Sequence, residues 1–384
     1  MNELERRVAD EIRRRGPRPF AEVMDAALYD PNLGFYSTGG SAGRRGDFLT
    51  SPEVGPLFGA VLARALDTWW ADMGRPDLFT VVEAGAGPGT LARSILAAAP
   101  RCARALRYLA VERSAVLRSR HPPGVVSLES LPPPDHGPAV VLANELLDNF
   151  PFELWKRVTN RSGRSARPVQ PAHPATVIGA LAPGTVAEWR EVRVDLEGAG
   201  DDLRLVECLV AAEPPTWLPD AVPGSRAPVQ AAAARWLRDA LTLAGPGGRV
   251  VVVDYTSTTT SMAARPQGEW LRTYRGHERG SHPLDKLGTQ DVTVEVAIDQ
   301  LARVRPPTAV GTQADFLRGH GIGDLVEEGR RTWTERAHIG DLRAVRARSR
   351  LTEAQALTDP AGLGAFTVLE WVLQPTPGRD RAAA

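Results

Sequence analysis

Lysine is almost missing from this chain: Lys156 and Lys286 are the only two among 46 basic residues, so nearly every cation is an arginine. Arginine this abundant, beside so much Ala, Gly and Pro, reads as compositional bias, and a cluster of arginines such as Arg272 and Arg275 carries little functional weight. Net charge is absent too, with 46 basic residues against 46 acidic ones and no long run of one sign. That balance gives no support for a nucleic-acid partner or an anionic membrane surface. Cysteine is limited to Cys102 and Cys208, without metal-ligand spacing, which fits two ordinary thiols in a reducing compartment and no metal site. No stretch approaches the ~20 apolar residues that cross a bilayer. The first segment, MNELERRVADEIRRRGPRPF, lacks an apolar leader core and carries Glu3, Glu5, Asp10 and Glu11, which a transit peptide avoids. The expectation is a cytoplasmic protein with no membrane insertion.

What the chain does have is length and apolar content: 384 residues, 43% hydrophobic, ample for a buried core. Leu4, Val8 and Ile12 stand at helical spacing within residues 3–15, and a second short helix is predicted from Phe20 to Ala27. A loop rich in Gly, Ser and Pro follows, as far as about Pro52, with Phe35, Tyr36 and Phe48 as apolar anchors; a loop this long in a compact protein usually covers something. EVGPLFGAVLARALDTWW predicts an amphipathic helix from Glu53 to Trp70. Short apolar runs alternating with helical segments come next: FTVVEAG, LRYLAVER, GVVSLES and PAVVLANE, and later GGRVVVVDYT after the helix AAAARWLRDALTLA. This rhythm implies an α/β fold with a parallel sheet and right-handed crossovers. It breaks between about Phe152 and Gly224, where residues 160–183 read as an exposed insertion, and again in a polar loop from Tyr255 to about Gly288. The expected organisation is an N-terminal arm (1–60), a first half of the core (61–155), an inserted region on the substrate side (156–224) and a second half with a C-terminal tail ending in FTVLEWVL (225–384).

The chemistry centres on TVVEAGAGPGT, residues 80–90. A strand ending in Glu83 and followed by Gly85, Gly87 and Gly89 brings backbone close to a ligand at the carboxyl edge of a parallel sheet. The spacing is G-x-G-x-G, not the G-x-G-x-x-G of a dinucleotide loop. Glu83 would face a pyrophosphate unfavourably, whereas it suits the cationic methionine portion of S-adenosylmethionine. Glu112, at the end of LRYLAVE, stands where an acid accepts both hydroxyls of a ribose, a feature that NAD and S-adenosylmethionine sites share. A dinucleotide and a plain glycine turn remain the alternatives. At the end of the fourth run, ANELLDNFP places Asn144, Glu145 and Asp148 where a transferred methyl group would meet its acceptor. Asn144 alone would serve as a helix cap, but two further acids exceed what a cap requires; with a cationic nitrogen as acceptor they would orient it by charge-assisted hydrogen bonds.

These residues lie within a longer pattern: YDPNLGFYS, GDFLTSPEVGPLFG, EAGAGPGTL, NELLDNFPF, VVVDYT, LRTYRGHERGSHPLDKLGTQDVT, TQADFLRGHGI and DPAGLGAFTVL. Along nearly its whole length the chain resembles the MidA-like S-adenosylmethionine-dependent methyltransferases, a family that includes a mitochondrial protein arginine methyltransferase assisting assembly of a respiratory complex. The resemblance implies the class I Rossmann-like fold with a seven-stranded sheet, S-adenosyl-L-methionine as cofactor and S-adenosyl-L-homocysteine as product. It also implies that Gly46, Asp47, Thr50 and Ser51 close over the cofactor, and that Tyr274 and His277 lie near the catalytic face, His277 as a general base or as an ordinary loop histidine. The chain departs from the family pattern at Pro88, Ser94, Thr256, Glu295 and Ile298, which bears on the acceptor more than on the cofactor. The expected activity is methyl transfer to an arginine of a partner protein. A small-molecule acceptor and an assembly factor with little turnover are the other readings, and a homodimer is left open.

Overall fold

The computed structural model describes residues 1–40, 50–134, 137–161, 185–276 and 278–375. Gly46, Asp47, Phe48, His277 and most of the insertion expected at 160–183 lie outside them.

Seven strands form the central sheet: β1 (Phe79–Ala84), β2 (Leu106–Val111), β3 (Val126–Leu128), β4 (Ala139–Asn144), β5 (Arg249–Asp254), β6 (Ala309–Thr312) and β7 (Thr367–Val372), in the order β6-β7-β5-β4-β1-β2-β3. β1 to β5 run parallel, while β7 pairs antiparallel with both β5 and β6. The parallel sheet implied by the alternating rhythm is formed by β1 to β5, and the strand-like run of the C-terminal tail joins it antiparallel as β7. The apolar runs are explained by burial on both faces. Val81, Val140, Leu142, Val251 and Val253 face the helix Pro56–Asp72, and Val82, Val141, Ala143, Val250 and Val252 face the helix Ala231–Ala244. Each such valine contributes roughly 1.5–3 kcal/mol by leaving water.

Two expectations are corrected. The helix predicted from Glu53 to Trp70 is two helices, Ser51–Val54 and Pro56–Asp72. Pro56 has no N–H to continue the first and keeps Gly55 out of the helical region, so it serves as the first residue of the second. The supposed polar loop after Tyr255 contains the short helices Thr259–Ala263 and Gln267–Trp270 and a small antiparallel sheet of Leu271–Arg275, Glu278–Arg279 and Asp291–Val294.

The segment that breaks the rhythm is a second antiparallel sheet, built from Glu153–Arg161, Thr185–Glu197, Arg204–Val210 and Arg226–Val229, to which Arg18–Pro19 adds. Leu4, Val8, Ile12, Phe20, Val23 and Leu28 of the N-terminal helices pack with Leu154, Val192 and Val194 of that sheet, with Phe152 just before it, and with Trp270, Leu271 and Val292. The N-terminal arm, the middle segment and the small sheet thus share one apolar cluster beside the carboxyl edge of β1, β2 and β4. Among the described residues, no helix is long and apolar enough to cross a membrane.

Candidate active site

At that edge lies a cavity of about 1010 Å³. Its floor is the turn after β1. Gly85, Gly87 and Gly89 all have left-handed backbones, with φ of +70°, +52° and +78°, a conformation that costs other L-residues about 1–2 kcal/mol. A Cβ on Gly85 would meet Leu146 Cδ1 at 2.8 Å and one on Gly89 would meet Pro122 Cδ at 2.8 Å, while one on Gly87 would stand in open space. Gly85 and Gly87 both line the cavity, and of the three glycines only Gly87 has open space where a side chain would stand. It is held from both sides: its N–H donates to Glu112 Oε2 at 3.0 Å, and its carbonyl accepts from His121 Nε2 at 2.9 Å. A carbonyl only accepts, so Nε2 carries the imidazole proton and Nδ1 accepts from the Ser127 hydroxyl.

Glu83 closes the deep end of the cavity, 5% exposed, its Oε2 accepting the Tyr108 hydroxyl at 2.7 Å. Burial pushes its pKa up to about 8, against the opposing effect of that hydrogen bond. Glu112 is also raised by burial; its two oxygens take the backbone N–H groups of Gly87 and Ser114, leaving each a lone pair for a hydroxyl. Glu83 and Glu112 end neighbouring strands, so a ligand with a cation at one end and a diol further along fits between them. Asn144 Oδ1 is buried without a partner, an acceptor at the same edge that a bound group would satisfy. The residues therefore fit the cofactor that the sequence pattern implies.

Glu145 adopts φ +50°, a strained conformation for a residue with a side chain, and one that collects at functional sites. Its Oε1 accepts the Ser51 N–H at 3.1 Å and Asn144 Nδ2 at 3.0 Å. Burial raises its pKa to about 8, with Asp148 adding to the rise. Asp148 lies beneath, its Oδ2 accepting the hydroxyls of Tyr255 and Thr293, and is itself raised by burial. Asp254 at the end of β5 accepts the N–H groups of Leu147 and Tyr255, and burial holds it well above the usual carboxylate range. Asp291, raised to about 7 by burial, accepts from Tyr36 and Asn149.

Of the residues singled out by sequence, the cavity brings together Thr50, Glu83, Gly85, Gly87, Glu112, Asn144 and Glu145. Ser51, Gly89 and Asp148 stand one layer behind it. Tyr274 does not reach it: it lies in the small sheet, paired with Asp291 and Arg279, with the Arg279 guanidinium 5.9 Å from its ring. Sequence reasoning missed Glu53, whose Oε1 accepts the Thr90 hydroxyl at 2.6 Å; its place in the TSPE motif was the available signal. Tyr36, expected only as an apolar anchor of the covering loop, lines the cavity stacked on Tyr29 at 5.5 Å; Tyr29 and Phe150 against Trp236 at 6.3 Å were missed, and local pattern gave no sign of them. Among the described residues, the lining carries nine carboxylates, those of Glu11, Glu22, Asp25, Glu53, Glu83, Glu112, Glu129, Glu145 and Asp239, against the guanidiniums of Arg113 and Arg235. In a chain with equal numbers of acids and bases, this is a strong local sorting of charge.

A family model described as "Putative S-adenosyl-L-methionine-dependent methyltransferase" matches residues 61–310, more than half of the chain. The mouse protein named protein arginine methyltransferase NDUFAF7, mitochondrial, is 26% identical over 336 residues, covering 81% of this chain and 72% of its own length. The Xenopus tropicalis protein of that name is 27% identical over 335 residues, covering 81% and 74%. A Drosophila melanogaster homologue is 42% identical over 93 residues; that match covers 24% of this chain and only 21% of the relative. A COG1565 superfamily protein from Burkholderia thailandensis, crystallised with S-adenosyl-homocysteine bound, superposes with a TM-score of 0.72 at 24% identity, covering 96% of this chain and 91% of its own. That likeness shows the Rossmann-like methyltransferase fold. The expectation of a cytoplasmic protein is overturned by the same comparisons, because these curated relatives carry "mitochondrial" in their names; an acid-rich first segment does not decide the compartment. With more than half of its length matched by that model, the chain belongs to this family of S-adenosyl-L-methionine-dependent methyltransferases, an enzyme whose cofactor is S-adenosyl-L-methionine.

Proposed function

We propose that the enzyme methylates an arginine side chain of a protein substrate, with Glu83 and Glu112 holding the cofactor and Glu145 receiving the acceptor. The carrying observation is the acidic lining of the cavity, nine carboxyl groups against two guanidiniums. Glu22, Asp25 and Glu129 are already ion-paired with Arg18, Arg113 and Arg118. Glu83 and Glu145, raised to about 8 by burial, ionise readily only beside a cation, which favours a cationic ligand and acceptor. The names of the mouse and frog relatives point the same way.

Bound S-adenosyl-L-methionine supplies a methyl group on a sulfonium centre. The chain's own work is to position and to exclude water, which is most of what an in-line transfer requires. Glu83, at the blind end, pairs with the amino-acid ammonium. Glu112 accepts the ribose hydroxyls, and its bond to the Gly87 N–H fixes the loop beneath them. Asn144 Oδ1, lacking a partner, accepts a donor at the edge between cofactor and acceptor. Glu145 accepts guanidinium N–H groups, turning a nitrogen toward the methyl, and takes the proton that leaves as the new N–C bond forms and the S–C bond breaks.

The test is methyl transfer from labelled cofactor to arginine-containing peptides and to lysine-containing controls, with the modified residue identified by mass spectrometry. Label on arginine, reduced at least a hundredfold by Glu145→Gln with cofactor affinity kept, is the expected result (about 3 kcal/mol of lost transition-state interaction). Turnover confined to small-molecule acceptors, or none with any acceptor despite tight cofactor binding, would overturn it.

A further inference from the structure

The motif TQADFLRGHGI takes no part in the site as described, yet its second residue reaches it. Gln313 opens the helix Gln313–Gly319 and is completely buried. Its Nε2 donates to the Leu357 carbonyl at 3.0 Å, and its Oε1 accepts the Ser51 hydroxyl at 2.8 Å. The Leu357 carbonyl can only accept, so the amide has one satisfactory orientation, with its oxygen toward Ser51. Ser51 is equally buried, and its backbone N–H donates to Glu145 Oε1 at 3.1 Å. A continuous chain of hydrogen bonds therefore runs from the C-terminal helices through the N-terminal arm to the carboxylate at the cavity. The start of the helix that follows, Pro56–Asp72, is held by a second buried side chain from that region: Glu353 Oε2 accepts the Leu57 N–H at 2.9 Å.

We propose that Gln313 is a positioning residue for methyl transfer: by fixing Ser51 it aims the Ser51 N–H at Glu145 and holds that carboxylate in the orientation that receives the acceptor. The inference rests on the reading of Glu145 given above. Glu145 needs such a support. Its backbone is in the left-handed region, and the like charges of Asp148 and Asp254 act on it, so its anionic form depends on the donors from Ser51 and Asn144. Loss of one donor both loosens the side chain and makes it harder to ionise.

The experiment compares Gln313→Met, similar in size but without hydrogen bonds, with Ser51→Ala, the double variant and Glu145→Gln. It measures kcat against pH and the dissociation constant for cofactor. Expected for Gln313→Met is a fall in kcat at neutral pH of roughly three- to tenfold, the worth of one hydrogen bond, with cofactor affinity within about twofold of wild type. The acid limb of the kcat profile moves to higher pH. Ser51→Ala does the same, and the double variant adds nothing further, because the two residues act in one chain. A merely structural role would scale kcat down at every pH and leave the limb in place, and that outcome overturns the proposal. If Glu145→Gln turns over normally, the reading of Glu145 falls and this inference with it. If Glu145→Gln is inactive while Gln313→Met keeps the wild-type limb, this inference alone falls. Should Gln313→Met fail to fold, Ser51→Ala, which removes one hydroxyl, carries the same test.

Discussion

At the scale of single residues, the site works against the ordinary behaviour of a carboxylate. Glu83 is buried far enough that its pKa rises to about 8, although the Tyr108 hydroxyl and the charge of Arg93 favour the charged form. A cationic ligand end changes that balance, since a nearby positive charge favours ionisation. Cofactor binding below pH 8 should therefore expel a proton from Glu83. Between pH 5.5 and 7, where an α-ammonium stays protonated, affinity for S-adenosyl-L-methionine should rise by up to about tenfold per pH unit. Calorimetric titration in buffers of different ionisation enthalpy measures both the affinity and the released proton. Glu83→Gln should bind roughly 10 to 100 times more weakly at pH 7, the worth of a charged hydrogen bond, and lose the pH dependence. Tyr108→Phe should weaken binding at pH 7 and carry the pH dependence to higher pH, because it removes the hydrogen bond that most lowers the Glu83 pKa. Equal affinity in wild type and Glu83→Gln would show that the ammonium is held elsewhere.

At the scale of elements, the three glycines divide their work, and substitution separates the parts. Gly89 has φ +78°, and a methyl carbon added to it would stand 2.8 Å from Pro122 and 3.2 Å from His121, whereas Gly87 has φ +52° and faces open cavity. Gly89→Ala should destabilise the fold by about 2 kcal/mol or more, strain and clash together, and lower the melting temperature without cofactor. Gly87→Ala carries the strain alone, about 1–2 kcal/mol, and its methyl enters the ligand's space, so it should weaken cofactor binding more than folding. Thermal melts with and without S-adenosyl-L-homocysteine check this; a larger melting shift for Gly87→Ala than for Gly89→Ala in the absence of ligand would refute the division. The same glycines were legible in the sequence because φ > 0 at a strand's end has few residues to choose from. β1, β4 and β5 were legible because burial on both faces leaves unbroken apolar runs. The small sheet around Tyr274 was not: Leu271–Arg275 finds its partner about twenty residues on, at Asp291–Val294, and pairing at that distance leaves no local period. Resemblance alone therefore puts Tyr274 near the catalytic face, whereas its strand pairs it with Asp291 and Arg279, away from the cavity lining. The break at Pro56 could have been read from the proline itself. Trp236 could not have been found, since a helix pattern shows which residues are apolar but not which of them faces a cavity.

At the scale of the whole molecule, charge is balanced in total and sorted in place. Acids gather at the carboxyl edge of β1, β2, β4 and β5, while ion pairs such as Arg226 with Glu207 lie in the surrounding sheets. The gathered acids tie function to stability through pH. Glu83 and Glu145 are raised to about 8 and Asp291 to about 7, in each case chiefly by burial. In the unfolded chain each would ionise near its ordinary value, 4.5 or 3.8. Between those values and the folded ones, the folded state binds more protons than the unfolded state, so stability declines as pH rises through this window. The carboxylates whose pKa is lowered on folding, Asp30, Glu207, Glu327 and Asp341, act in the opposite sense but below their ordinary values. His121, lowered from 6.5 by burial, opposes the decline at the acid end of the window and is outweighed by the several raised carboxyl groups. The cofactor-free enzyme should thus be most stable on the acid side of neutrality and should lose stability steadily from pH 5.5 to 8. Glu83 alone accounts for up to about 1.4 kcal/mol per pH unit. Glu83→Gln removes that contribution, so the variant should melt higher than wild type at pH 8 and nearly level with it at pH 5, while binding cofactor poorly. Saturating S-adenosyl-L-methionine should flatten the wild-type profile, because pairing with the ammonium lets Glu83 ionise in the folded state. Melting temperatures of wild type and Glu83→Gln across this range, with and without cofactor, decide the matter. A wild-type profile that is flat or rising from pH 5.5 to 8, or one that Glu83→Gln leaves unchanged, would show that the buried acids at the site do not set the pH dependence of the fold.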